Sequence, residues 1–105
     1  LSFRVPTSIV STADISVKLG KHSDRNEIIN LFNKVEEKQK LNIIKNNTNP
    51  LISTDFIGSN YSAIIDQRWT QINDSNYLKM ILWYDNEWGY SCRVVDLVKI
   101  ISKYL

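Results

Sequence analysis

Apolar and polar positions along the chain mark out strands first and helices second. Phe3 to Pro6 is apolar with Arg4 inserted, and it reads as a short extended piece because Pro6 pushes the residue before it out of the helical region. Ala13, Ile15, Val17 and Leu19 then alternate with Asp14, Ser16 and Lys18. That period of two predicts a strand with one buried and one wet face, ended by Gly20 and Lys21. From Ser23 to Lys40 the period changes. Ile28, Leu31, Phe32 and Val35 fall on one helical face, while Glu36, Glu37, Lys38 and Lys40 lie mostly on the other. Ser23 or Asp24 can accept the free amide protons at the start, with Glu27 three residues after Asp24.

Extended runs are expected at Asn42–Lys45, Leu51–Phe56 and Ser62–Ile72, the last two separated by Gly58, Ser59 and Asn60. KNNTNP, Lys45 to Pro50, reads as a turn rather than a linker between domains. Tyr77–Tyr84, YLKMILWY, is nearly all apolar, the pattern of a strand covered on both faces. Glu87–Leu105 returns to helical spacing through Val94, Leu97, Val98, Ile101 and Leu105. Two helices are too few to cross over between every strand pair. The expected class is therefore α+β: a mixed, mostly antiparallel sheet with one long helix packed on it and a C-terminal helix.

Composition narrows the function classes. The chain has 105 residues, 43% hydrophobic and 23% charged, which suits a packed unit rather than a disordered one. A net charge of +2 makes no electrostatic claim on nucleic acid. No apolar run approaches the roughly 18 residues of a membrane-spanning helix, so neither a nucleic-acid nor a membrane partner is expected. The N-terminus has no charged region followed by an apolar one, so no signal peptide is expected, and a first residue of Leu suggests a start inside a longer protein. The single cysteine excludes an internal disulfide.

Candidate chemistry is sparse. His22, the only histidine, sits at a strand-to-helix turn and reads as inert. Cys92 lies near the start of the last helix, where a thiol can be acidified, but no neighbouring partner supports a nucleophile. One His and one Cys make no metal site. Gly20, Gly58 and Gly89 are too scattered for a phosphate loop. The Asn-x-Ser/Thr triplets at Asn46, Asn60 and Asn73 read as chance matches.

Two positions offer more. Arg4, between Phe3 and Val5, is costly to bury without an anion. It pairs either with a carboxylate such as Asp55 or Asp66, or with a phosphate that its guanidinium can grip through two oxygens. In WYDNEWGYS, Trp83 to Ser91, a strand runs into a helix through a polar turn. Asp85 or Asn86 can cap that helix. Asn86 also carries a donor and an acceptor together, which suits an amide ligand.

FRVPT near the start, STDF and YSAIID in the middle, and WYDNEWGYSCRVVDLVKII at the end resemble glyceraldehyde-3-phosphate dehydrogenase, in that family's order and spacing and across Ser2 to Tyr104. The sister enzyme, erythrose-4-phosphate dehydrogenase, shares the architecture, but the tyrosine of WYDNEWGY fits the first family better. The resemblance implies a C-terminal fragment. Residues 1–86 would be the later part of the catalytic domain, and 87–105 a helix that packs on a missing NAD-binding domain. The family's nucleophilic cysteine and histidine base lie upstream, so Cys92 and His22 do not match them and this chain carries no catalytic residue. The complete enzyme is a cytoplasmic homotetramer of glycolysis. It oxidises glyceraldehyde 3-phosphate with NAD and inorganic phosphate to an acyl phosphate.

Arg4 matches an arginine that holds a substrate or inorganic phosphate. Asn86 matches the asparagine that bonds the nicotinamide carboxamide, Tyr90 a tyrosine near the nicotinamide, and Tyr84 one near the reactive thiolate. Tyr61 stands where the family usually has His, and Cys92 where it usually has Asn. The other reading is a non-catalytic assembly module.

Overall fold

The computed structural model describes residues 7–105, so the extended piece expected at Phe3–Pro6, with Arg4, lies outside the described residues. Four strands form one sheet: β1 (Ser11–Lys18), β2 (Ile44–Asn47), β3 (Ala63–Asn73) and β4 (Tyr77–Tyr84). Their order across the sheet is β1-β4-β3-β2. β4 is antiparallel to both β1 and β3, while β2 runs parallel to β3. Helix α1 (Arg25–Lys38) lies between β1 and β2 in sequence, and α2 (Asn86–Ile101) follows β4. This is the α+β class with a mixed, mostly antiparallel sheet. At 14 residues α1 is of moderate length, and α2 has 16.

The alternation in β1 shows directly in its burial: Ser11, Ala13 and Ile15 are half-buried, and Thr12, Asp14 and Ser16 exposed. At the start of α1, the Glu27 amide donates to the Asp24 carboxylate at 2.9 Å and the Asp24 amide to Glu27 at 3.2 Å. These reciprocal bonds satisfy two of the helix's free donors. The helix stops at Gln39, whose side chain accepts from the Ile43 and Ile44 amides and donates to the Ile44 carbonyl, carrying the chain into β2. Ile28 packs under Leu78 and Met80 of β4, with Leu19, Phe32 and Ile72 at the rim. A second cluster, Val10, Phe56 and Ile64 with Leu51, Tyr61 and Trp83, fills the end of the sheet nearest α2. Phe56 stacks on Trp83 with ring centroids 5.6 Å apart.

Two expectations are corrected. Leu51–Phe56 is not extended throughout, because Ser53–Phe56 forms a single 3-10 turn. The Asp55 carboxylate accepts from the Ile52 amide at 2.8 Å, and this local bond curls the chain and tucks Phe56 into the core. β4 is not covered on both faces among the described residues. Leu78 and Met80 are buried beneath α1, whereas Tyr77 is exposed and Lys79 and Ile81 half-exposed. The second face instead carries an ion pair between Lys79 and Asp14 at 3.1 Å.

β3 is interrupted. Between the Asp66–Ile81 and Gln71–Lys79 pairs it carries residues 67–70 against residue 80 of β4. The extra length bulges out, and α1 ties it down. Arg25 donates to the carbonyls of Gln67 at 3.0 Å and Thr70 at 2.9 Å, and the Gln67 amide donates to Asn33 at 2.9 Å. At the edge of the bulge Asp66, fully buried, takes two bonds from the Arg68 guanidinium at 2.8 and 2.6 Å and one from the Trp83 indole at 3.2 Å. Burial alone would push the Asp66 carboxyl up, but Arg68 and Trp83 hold it below the usual carboxylate range.

Candidate functional site at the start of the second helix

Strand β4 delivers the chain to Asp85, the cap of α2. Asp85 is only 5% exposed, yet both of its oxygens are used. Oδ1 accepts from the Trp88 amide at 3.0 Å and Oδ2 from the Gly58 amide at 2.9 Å. The Gly58 and Trp88 amides hold its carboxyl below the usual carboxylate range. The cap therefore belongs to Asp85, which settles the choice between Asp85 and Asn86. Asn86 is the first residue inside α2 and is exposed. Tyr90, four residues on and so on the same helical face, is 71% exposed. Tyr84, the last residue of β4, is half-buried opposite Ser11.

An adjoining face of α2 is seated on the loop from Gly58 to Ser62. The Trp88 indole donates to Asn60 at 2.7 Å, and the Cys92 thiol lies 3.6 Å from the same oxygen. A Cβ added at Gly89 would stand 3.2 Å from the Tyr61 carbonyl, so the helix and loop touch through a residue with no side chain. Beside the seat, seven residues on from Asn86 and so on its side of the helix, Arg93 donates to the Asn42 carbonyl and the Ser62 hydroxyl while pairing with Asp96 at 2.7 Å.

Asn86 and Tyr90 thus share an exposed face at the start of α2, Tyr84 ends β4 just before it, and Arg4 lies outside the described residues. Of the two carboxylates named as its alternative partners, Asp55 accepts from the Ile52 amide and Asp66 pairs with Arg68. Cys92 is held against Asn60, and His22 is exposed in the turn before α1. Among the described residues no group of three or more His, Cys, Asp and Glu side chains could hold a metal ion. The bond from Asp85 to Gly58 was not visible in the sequence. Only its capping half carries a local signal, the Asp three residues before Trp88.

Beyond its seat, α2 presents apolar residues outward: Val95, Leu97 and Val98 are 51%, 55% and 61% exposed. A bare apolar face of this kind marks a contact surface.

The family model described as glyceraldehyde 3-phosphate dehydrogenase, C-terminal domain, matches residues 1–86. The chain is 43% identical over 103 residues to the glyceraldehyde-3-phosphate dehydrogenase of Pleurotus sajor-caju, covering 98% of this chain and 31% of that protein. Against the cytosolic glyceraldehyde-3-phosphate dehydrogenase of Mesembryanthemum crystallinum the identity is 42%, with 98% and 31% covered. Against the enzyme of Atriplex nummularia it is 41%, with 98% and 29% covered. The chain spans about three-tenths of the length of these curated relatives. By its family match and by these identities along nearly its whole length, the chain belongs to the glyceraldehyde 3-phosphate dehydrogenase family, as a C-terminal fragment.

Proposed function

We propose that this chain works as the later catalytic-domain part of a phosphorylating, NAD-dependent glyceraldehyde-3-phosphate dehydrogenase of glycolysis. The observation that carries the reading is the state of Asn86. With capping assigned to Asp85, the Asn86 amide stands exposed on the same face of α2 as Tyr90. A carboxamide offers one carbonyl and one NH₂, and only a side chain with both complementary functions fixes which way it turns. Asn86 would hold the nicotinamide carboxamide, and Tyr90 would line the ring. The nicotinamide, when bound, supplies the hydride acceptor.

Arg4 would grip the phosphate of the substrate or the attacking inorganic phosphate through charge-assisted bonds. The nucleophile and its base would come from polypeptide outside this chain, so these 105 residues alone are inactive.

The family match ends at residue 86, where α2 begins. This supports a division into catalytic-domain residues 1–86 and a helix, 87–105, whose apolar outer face packs on the NAD-binding domain. The relatives named as cytosolic support a cytoplasmic location, and the complete enzyme would be a homotetramer. The bare apolar face equally suits the second reading, in which the chain is an assembly module without a catalytic part.

The two readings separate at Asn86. In the full-length dehydrogenase carrying this chain, Asn86→Asp keeps size but loses the NH₂ donor. Hydride transfer should slow by the worth of one misplaced buried hydrogen bond, about 1–3 kcal/mol. An unchanged rate would leave only the assembly role.

A further inference from the structure

We propose that Asp85 is a positioning residue for the cofactor: it seats the first turn of α2 on the Gly58–Ser62 loop, and this seat fixes where Asn86 stands. The proposal rests on the reading of Asn86 given above. A helix cap needs one oxygen, but Asp85 uses two, the second on Gly58, 27 residues away in sequence. Gly58 has φ +73, and a Cβ there would meet nothing within 4 Å. Glycine is therefore favoured by backbone conformation rather than by space, and in that conformation its amide bonds Asp85.

Further along α2, Trp88 bonds Asn60, Gly89 touches the Tyr61 carbonyl, and Cys92 approaches Asn60. Positions 85, 88, 89 and 92 thus form the stripe turned to the loop, at the three- and four-residue steps of one helical face. Asn86 is one residue, about 100° of helical turn, away from the first of them. The seat sets the rotation of α2, and the rotation sets the direction of the Asn86 amide. Tyr84 and Asp85 are buried or half-buried while Asn86 is exposed, so the boundary between core and cofactor side falls between Asp85 and Asn86.

The test uses the full-length dehydrogenase with NAD as probe. An amide at position 85 has one acceptor oxygen, so Asp85→Asn can serve Trp88 or Gly58 but not both. Asn is as good a cap as Asp, so the helix start survives. Kd for NAD should rise roughly 3- to 10-fold, the worth of one hydrogen bond, with slower hydride transfer. KM for phosphate should stay within about twofold, because the phosphate grip is assigned to Arg4. Trp88→Phe keeps both Asp85 bonds and drops only the one to Asn60, and it should shift Kd for NAD in the same direction. It serves as the readout if Asp85→Asn fails to fold.

A purely structural Asp85 would lower Tm and leave Kd for NAD unchanged in both variants, which overturns the proposal. Asn86→Ala separates the two failures. If it leaves NAD binding and hydride transfer intact, the reading of Asn86 falls and the proposal with it. If it weakens them while Asp85→Asn and Trp88→Phe do not, only the positioning role is lost.

Discussion

Replacing Arg68 by Met strips the partner from a fully buried carboxylate, and the structure sets the size of the effect. Asp66 has no exposure and takes two of its bonds from the Arg68 guanidinium. Without them it retains the Trp83 indole at 3.2 Å and the Arg68 backbone amide at 3.3 Å. Breaking a fully buried pair by removing one member costs about 3–5 kcal/mol, and the Arg68 side chain, 30% exposed, puts this pair at the lower end. An upper bound comes from proton uptake, since a carboxyl that cannot stay charged takes a proton instead. At pH 7 that costs about 1.4 kcal/mol for each of the roughly three pH units above the ordinary Asp value, about 4 kcal/mol in all. Arg68→Met should therefore lower stability by about 3–4 kcal/mol at neutral pH.

The pH dependence has a definite sign. In the parent, Asp66 titrates below its unfolded value, so its stabilisation is present above that value and lost as pH falls through the folded one. In Arg68→Met the carboxyl titrates above its unfolded value, so acidification stabilises the fold. The gap between the two proteins should narrow steadily from pH 7 to about pH 4. Denaturant unfolding read by tryptophan fluorescence follows it, because Trp83 touches both Asp66 and Phe56. A loss below about 1 kcal/mol at pH 7, or a loss that does not change with pH, would refute the reasoning. The double variant Arg68→Met with Asp66→Asn should recover part of the loss at pH 7, since the orphaned charge is gone.

Two further outcomes are expected. Arg4→Ala in the full-length enzyme should weaken phosphate and substrate use by about 1.5–3 kcal/mol while cofactor affinity stays constant, and unaltered phosphate kinetics would return Arg4 to a structural ion pair. Gly89→Ala should lower the melting temperature even though Ala favours a helix by about 1 kcal/mol, because the added Cβ meets the Tyr61 backbone carbonyl at 3.2 Å; a rise in melting temperature would show that the loop yields.

The parts of the fold legible in the sequence are those whose causes are local. The alternation of β1 and the Asp24–Glu27 capping pair act over a few residues, and both are where the pattern puts them. Leu51–Phe56 misled because its apolar residues look extended, while a single Asp55 bond back to Ile52 decides the backbone. The bulge at residues 67–70 left no pattern to read. It is held by Arg25 and Asn33 from α1, more than thirty positions away in sequence.

At the candidate site, Asn86 stands out by its paired donor and acceptor at the strand-to-helix turn and the tyrosines by motif resemblance alone, and the structure adds which way the polar pair turns. Of two adjacent polar residues, Asp85 turns in and Asn86 turns out. The choice depends on Gly58, a distant residue whose amide needs an acceptor.

The strand order β1-β4-β3-β2 has a consequence for synthesis on the ribosome. β1 pairs with β4 from Ser11 opposite Tyr84 to Lys18 opposite Tyr77, so it emerges first and its partner almost last. At roughly 5–20 residues per second, the intervening chain keeps β1 waiting for several seconds. Through that interval its backbone amides and carbonyls lack the β4 ladder, the condition in which strands join the wrong neighbour. Thr12, Asp14, Ser16 and Lys18, which form the wet face in the finished sheet, then act as gatekeepers, interrupting every second position of a segment that would otherwise be sticky.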